Sequence, residues 1–332
     1  MMHRFRFPAG DPALAAEARR VGAAVAAQSG LDESEVGKVA LVITEAATNL
    51  VKHAGGGEIL VGSAGLDAGV EILSLDQGPG MANPSSCLRD GFSTVGTTGT
   101  GLGAISRLAT RFDMHSTSGG GTALLAAVRP GGRPAPPAVF DVGGVAVPAP
   151  GEAVCGDGWA AIPVADGIRV MVVDGLGHGM LAHDAARAAV QAFRAAVGRP
   201  LPELMETIHG ALRSTRGAAI GVGAIDARQR VVTFSGIGNV AGVILGDGPA
   251  RSTVSRNGIA GHGTIRPQVF TYPWPNDGLL VLCSDGIATQ WSLEAYPGLR
   301  RRDPALIAGI LYRDHGRGRD DATVVVVRER AR

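Results

Sequence analysis

Two separate sets of residues in this chain have the types and spacing for phosphate chemistry. In the first, the segment TEAATNLVKHA places Glu45 and Asn49 four residues apart, with Lys52 and His53 one turn further along. On a helix that spacing puts a carboxylate and a carboxamide on one face. DQGPGM follows an apolar run, so Asp76 stands at a strand end, and Gly78 and Gly80 permit a tight loop and close approach by a ligand. TTGTGLGA, residues 97–104, then sets Gly99, Gly101 and Gly103 directly before a helical pattern, where unpaired amides and the helix dipole suit phosphate. Taken singly these signals are weak. A polar row is the usual solvated side of an amphipathic helix, and GxGxG also occurs in plain turns of a chain holding 50 glycines.

The second set is acidic. Asp157 in CGDGW, Asp174 in VVDGLGHG, Asp285 in LCSDGI and Asp320 with Asp321 in GRDDATVVVV sit at strand ends, most of them beside glycine. Each alone reads as an ordinary Asp-Gly turn. Together they say more, because two apolar strands end at Asp174 and Asp285 and a third begins just after Asp320, so the carboxylates can converge at one edge of a sheet core. Hard oxygen donors with no clustered His or Cys select Mg²⁺ or Mn²⁺ over zinc. His178 lies in a Gly-rich turn before a helix, a setting that favours a structural role. Residues 236–239 and 257–263 read as loops on the substrate side. The arginines at 300–302 read as a solvated face in preference to a docking surface.

Elements must hold these residues in place. At 332 residues the chain has the length of about two domains of ~150 each, and 45% hydrophobic against 18% charged residues can build real cores. The formal net charge of +1 gives no global field toward nucleic acid or an anionic membrane. Only Lys38 and Lys52 are lysines, which leaves few candidates for a phosphate-binding lysine. No apolar run approaches the ~18 residues of a membrane span, and MMHRFRFPAGDP lacks the apolar core of an export signal, so a cytoplasmic location is expected. Cys87, Cys155 and Cys283 are an odd number at wide spacing, which suits small buried hydrophobes better than a disulfide framework or metal site.

RPGGRPAPPA, residues 129–138, has the composition of an extended connector. It divides the chain into 1–128, a linker 129–138, and 139–332. Periodicity predicts helices over 12–28 and 35–53, the latter with Val36, Val39, Ala40, Ile43, Ala47 and Leu50 on one stripe. Strands over 58–64, 70–76 and 122–128 and a helix over 103–109 complete an α+β layer of helices on one sheet. Beyond the connector, strands over 140–147, 159–164, 168–173, 218–226, 231–235, 241–245, 278–283 and 322–328, with helices over 181–197, 201–213 and 304–314, suit two packed antiparallel sheets flanked by helices.

The ordered set Glu-x3-Asn, DxGxG and GTGLG resembles the GHKL ATPases over residues 10–128, and the TEAATN and HAGGGEI wording is most similar to the serine kinases and anti-sigma factors of bacterial partner-switching systems. That resemblance implies a Bergerat-type α/β sandwich. In it Asn49 holds Mg²⁺ against ATP, Asp76 hydrogen-bonds the adenine amino group, and Gly78 and Gly80 shape the floor. Gly99, Gly101 and Gly103 form the phosphate lid, Thr122 lies near the base through water, and Lys52 is a candidate phosphate contact. Glu45 is the implied general base toward a serine hydroxyl. A histidine kinase is disfavoured because the only histidine before the motif helix is His3, and neither Walker A nor the VAIK, HRD and DFG elements of protein kinases are present.

The acidic corners resemble, in order, the PPM metal-dependent protein phosphatases over residues 139–328, and DGLGHG with PGEAVCGDGW is similar to the SpoIIE and RsbX serine phosphatases. The resemblance implies an αββα sandwich in which Asp174 bridges two metals and the Gly175 carbonyl binds one of them. Asp285 and Asp320 complete the other, Asp157 is reached directly or through water, and Asp321 orients backbone. It further implies attack on phosphoserine by a water made acidic by two cations. The whole then reads as opposed enzymes, an ATP-dependent serine kinase and a Mg²⁺/Mn²⁺-dependent phosphoserine phosphatase. Their implied substrate is a STAS-domain anti-sigma-factor antagonist or stressosome protein. The rival is a first half that sequesters a partner when ATP-loaded without transferring phosphate. Two activities on one serine would waste ATP, which predicts gating, separate targets or one silent half.

Overall fold

The computed structural model describes residues 2–8, 13–63, 69–87, 101–132 and 138–330. Among them the strands form three antiparallel sheets of five strands each, and the chain packs as two bodies, Met2–Pro136 with Leu293–Arg313, and Pro137–Ser292 with Asp314–Arg332. The class is the expected one, α+β in two domains. One stretch departs from chain order: Leu293–Arg313, which follows the acidic corner at Asp285, packs with the first body.

In the first body β1 (Met2–Pro8), β2 (Gly56–Ser63), β3 (Val70–Leu75), β4 (Arg111–Ser116) and β5 (Thr122–Val128) lie in the order β1-β2-β3-β5-β4. The helices are α1 (Ala13–Gln28), α2 (Glu33–Asn49), the single turn α3 (Pro84–Cys87) and α4 (Gly101–Leu108). α2 starts two residues earlier than periodicity predicts, because Asp32 and Glu35 form a reciprocal capping box. It also ends sooner, giving way to a π-helical turn, Leu50–Ala54, closed by Gly55 in the left-handed conformation. Its core residues, Val39, Val42, Ile43, Ala46, Ala47 and Leu50, pack against Ile59, Val61, Ile72, Leu124 and Ala126. The expected stripe omitted Val42 and Ala46, since α2 is buried between α1 and the sheet and so hides a wider arc than one stripe.

The other face of this sheet carries Leu60, Leu73, Leu75 and Leu125, all buried. The helix Pro304–His315 lies against it, with Gly309 so near that a Cβ there would sit 3.2 Å from the Leu75 side chain and 3.4 Å from that of Leu73. Polar contacts fix it: the Tyr312 hydroxyl donates to Glu58 at 2.9 Å, Arg302 pairs with Asp113 at 3.1 Å, and the Asp303 amide donates to Asp113 at 2.7 Å.

In the second body β6 (Phe140–Val147), β7 (Asp157–Val164), β8 (Gly167–Gly175), β9 (Ala218–Asp226), β10 (Val231–Ile237), β11 (Ala241–Leu245), β12 (Arg251–Ser252), β13 (Phe270–Pro273), β14 (Leu279–Cys283) and β15 (Ala322–Glu329) make two sheets, β13-β10-β9-β8-β7 and β12-β11-β14-β15-β6. Val170, Val172, Phe234, Leu280, Leu282, Val325 and Val327 fill one core. The helices α5 (Met180–Ala196) and α6 (Leu201–Leu212) pack Phe193, Leu204 and Ile208 onto Met171, Val173 and Ile220. The helix Pro304–His315 is α7 in chain order.

Candidate active sites

In the first body α2 presents Glu45 and Asn49 half-buried on one face, and the start of α4 closes on them. A Cβ on Gly101 would lie 2.9 Å from Glu45 Oε2 and 3.5 Å from Asn49 Oδ1. Asn49 Nδ2 is buried without a hydrogen-bond partner, so a donor is held ready beside the glycine amides. Gly103 is buried within α4, and Gly99 lies outside the described residues. Lys52 and His53 are carried on the π-helical turn and are exposed. That turn packs against the Asp76 loop: a Cβ on Gly78 would lie 2.7 Å from Ala54 Cα.

Asp76 is buried at the end of β3. Its Oδ1 accepts from the amides of Gly78 at 2.9 Å and Thr122 at 3.1 Å, and its backbone oxygen accepts from Arg313 Nη1 at 2.7 Å. Burial pushes its pKa up, while the two amides and Arg313 pull it back. Oδ2 is left to receive a donor. Gly80 makes the loop possible, with φ of 63° and a backbone so close that a Cβ would lie 2.0 Å from Thr117 O. The Thr122 hydroxyl is tied to Ser116 at 3.0 Å.

In the second body Asp157 and Asp174 are directly paired residues at the adjoining ends of β7 and β8, so their side chains share one face of the sheet. Asp285 follows β14, and Asp320 precedes β15 with its Oδ1 accepting from the Asp321 amide at 2.9 Å. The Asp174 carboxyl is raised far above the ordinary carboxylate range, by burial first and then by the charges of Asp157, Asp285 and Asp320, with a hydrogen bond to Asp285 adding to it. Asp157 is raised as well, by burial and by the charges of Asp321 and Asp285. Among the described residues no three such groups form a ready-made ion cage; Asp174 and Asp285 instead share a hydrogen bond.

The donors nonetheless fit hard divalent cations. All are oxygens, and Asp157 Oδ2 is buried with no partner, which leaves it open to a hard cation. Gly175 is placed with its amide on Gly156 O at 3.1 Å. Asp321 is buried and accepts from the Ala149 amide at 2.9 Å, which ties the approach to Asp157 in place. Burial pushes the Cys283 thiol up to about 12 and that of Cys155 higher still, so neither is a nucleophile at neutral pH.

Sequence reasoning did not assign several contacts. Asn239 donates to Asp285, which gives the 236–239 turn a role beside a carboxylate. Glu152 accepts from His178 Nδ1 at 2.6 Å. The Gly261 amide donates to the buried His209 at 3.0 Å, which anchors the 257–263 loop to α6. The Asp113 to Arg302 pair gives one of the arginines at 300–302 a specific partner. Such contacts depend on register and on chain segments far apart in sequence, and no local motif announces them.

Comparison with known proteins matches two segments of the chain to two families. Residues 8–127 match the family described as "Histidine kinase-like ATPase domain", and residues 165–330, half of the chain, match "Stage II sporulation protein E (SpoIIE)". The serine/threonine-protein kinase RsbT of Bacillus subtilis (strain 168) is 36% identical over 112 residues, which are 33% of this chain and 84% of RsbT. The phosphoserine phosphatase RsbX of the same organism is 24% identical over 140 residues, 41% of this chain and 69% of RsbX. A solved chain from "The bacterial stressosome: a modular system that has been adapted to control secondary messenger signaling" superposes with a TM-score of 0.54 at 27% identity, covering 57% of this chain and 99% of that one. Among the described residues no helix is long and apolar enough to cross a membrane. The chain belongs to the SpoIIE family through residues 165–330, joined to a histidine kinase-like ATPase domain related to RsbT.

Proposed function

We propose that the protein is a bifunctional partner-switching regulator: an ATP-dependent serine kinase and a Mg²⁺- or Mn²⁺-dependent phosphoserine phosphatase acting on STAS-domain or stressosome proteins in the cytoplasm. The observation that carries the reading is the corner where Asp157 and Asp174 are direct partners across β7 and β8, both carboxyls held above the ordinary range by burial and by the charges of neighbouring aspartates. Structural ion pairs relieve charge, whereas this corner concentrates it, an arrangement that suits cation-dependent chemistry. The relatives named for serine kinase and phosphoserine phosphatase activity supply the substrate class.

In the second body Asp174, Asp157, Asp285 and Asp320 would hold two cations, with Asn239 orienting Asp285 and Asp321 fixing the loop before Asp157. Two such cations would supply a water acidic enough at neutral pH to attack phosphorus. In the first body Asp76 would accept a hydrogen bond from adenine, Asn49 would hold Mg²⁺ against the triphosphate beside the glycines that open α4, and Glu45 would take the proton from the incoming serine hydroxyl.

The test uses the full chain, radiolabelled ATP and a STAS-domain protein. Asp174→Ala, which silences the phosphatase, is expected to leave label on the partner's serine, and the wild type with Mn²⁺ to remove it. A stable ATP-dependent complex with no label would replace the kinase by a sequestering module. Absence of metal-dependent release by the wild type would remove the phosphatase.

A further inference from the structure

We propose that Arg216 is a substrate-binding residue of the phosphatase site, its guanidinium gripping the non-bridging oxygens of the phosphoserine while the aspartates hold cations; the inference rests on the phosphatase reading above. The β8 and β9 register sets Gly175 opposite Ala218, and the Leu176 amide donates to Gly217 O at 3.0 Å. One step further out, Arg216 faces Gly177 in the turn that leaves Asp174. The guanidinium reaches across to that turn, since a Cβ on Gly177 would lie 3.2 Å from Arg216 Nη1. The same turn touches the approach to Asp157: a Cβ on Gly156 would lie 3.4 Å from Gly177 O. Arg216 is therefore stationed beside the turn that leaves Asp174 and touches the approach to Asp157.

Its lack of a partner is the second observation. Arg216 is exposed and, among the described residues, takes part in no ion pair or hydrogen bond. An arginine serving only to neutralise the acidic corner would be paired with it. Here the neighbouring carboxylates are otherwise engaged: Asp285 accepts from Asn239, Asp321 from the Ala149 amide and Glu152 from His178. His178, the other basic side chain of the turn, is thereby occupied.

The charge balance explains what the free fork is for. Four carboxylates offset two divalent cations, so a phosphate monoester dianion arrives at a site with no net positive charge of its own. A permanently charged planar guanidinium matches two phosphoryl oxygens at once, which a lysine cannot do. Glycine at 177 leaves the space into which it leans.

The experiment uses the full chain with Mn²⁺ and no ATP, p-nitrophenyl phosphate as substrate and inorganic phosphate as inhibitor. Arg216→Ala is expected to raise both KM and the inhibition constant of phosphate by about 10- to 100-fold, with a smaller change in kcat. Arg216→Lys should recover part of the loss, while Mn²⁺ affinity by calorimetry and the melting temperature stay at wild-type values. Arg213→Ala, another exposed arginine on the same body, should leave KM unchanged. An unchanged phosphate inhibition constant in Arg216→Ala, an equal effect from Arg213→Ala, or a parallel loss of Mn²⁺ binding would each overturn the assignment while the phosphatase reading stands. An inactive wild type would instead remove the reading beneath it.

Discussion

The two candidate sites meet the same phosphoryl charge by opposite means. The nucleotide pocket of the first body is built from dipoles: amides of Gly78 and Thr122 on Asp76, the unpartnered Asn49 carboxamide, and glycines at the head of α4. The corner of the second body is built from net charge, with Asp174 raised by burial and by three other aspartates. A dipolar pocket concentrates little net charge. A charged corner carries unfavourable electrostatics until cations relieve it. Ion removal should therefore cost the second body far more than nucleotide removal costs the first.

The largest test of that contrast is Asp174→Asn. It keeps the shape and removes one charge from the point where the others converge. Phosphatase activity should fall by more than the ~10- to 100-fold that an outer partner of a metal ligand costs, with Mn²⁺ affinity falling alongside it and ATP binding unchanged. Loss of ATP binding in this variant would break the separation of the two sites. Next in size is Glu45→Gln, which keeps the hydrogen-bonding shape beside Gly101 but cannot take a proton. Phosphoryl transfer should drop by about 10²- to 10⁴-fold while the affinity for a fluorescent ATP analogue holds. Retained transfer would show that Glu45 is only a wall of the pocket.

Thermal unfolding reads the same contrast without activity. Mn²⁺ at about 100 times its dissociation constant should stabilise the body it binds by ~2.7 kcal/mol by mass action alone. Calorimetry of the full chain should show the two bodies responding separately, one to Mn²⁺ and one to ATP. A single transition raised equally by either ligand would mean that the two sites do not report on separate bodies.

How much of this was visible in the sequence follows from what sets each feature. Strands over 122–128, 140–147, 218–226 and 241–245 stand where apolar runs bounded by glycine and polar residues predict them. β1 carries its own cue, Arg4 and Arg6 alternating with the buried Phe5 and Phe7, but a seven-residue strand at the start of the sequence has no turn signal before it to mark it off. β12 and β13 are two and four residues long and largely exposed, too short to carry a period. The Asp-Gly corners were legible as strand ends. That Asp157 and Asp174 are direct partners, or that Arg216 faces Gly177, depends on register, which no local pattern encodes. The residence of Leu293–Arg313 in the first body is a tertiary fact with one sequence cue: α7 is apolar nearly all round, and Pro304–Tyr312 is buried without interruption.

That cue leads to the smallest test. α7 is joined by chain order to the phosphatase half, yet its Tyr312 hydroxyl donates to Glu58 on β2 at 2.9 Å, and Arg6 shares that carboxylate at 2.6 Å. Tyr312→Phe removes the hydrogen bond to Glu58, which keeps Arg6 as a partner, and the longer one accepted from Arg4 at 3.4 Å, so Glu58 is not stranded and the cost should be about 1 kcal/mol. Because Glu58 and Tyr312 belong to the same body, the loss should appear in the transition that ATP shifts and leave the Mn²⁺-sensitive one in place. The opposite assignment, a lowered Mn²⁺-sensitive transition with the other intact, would return α7 to the phosphatase half, and the first sheet would then need another cover for Leu60, Leu73, Leu75 and Leu125.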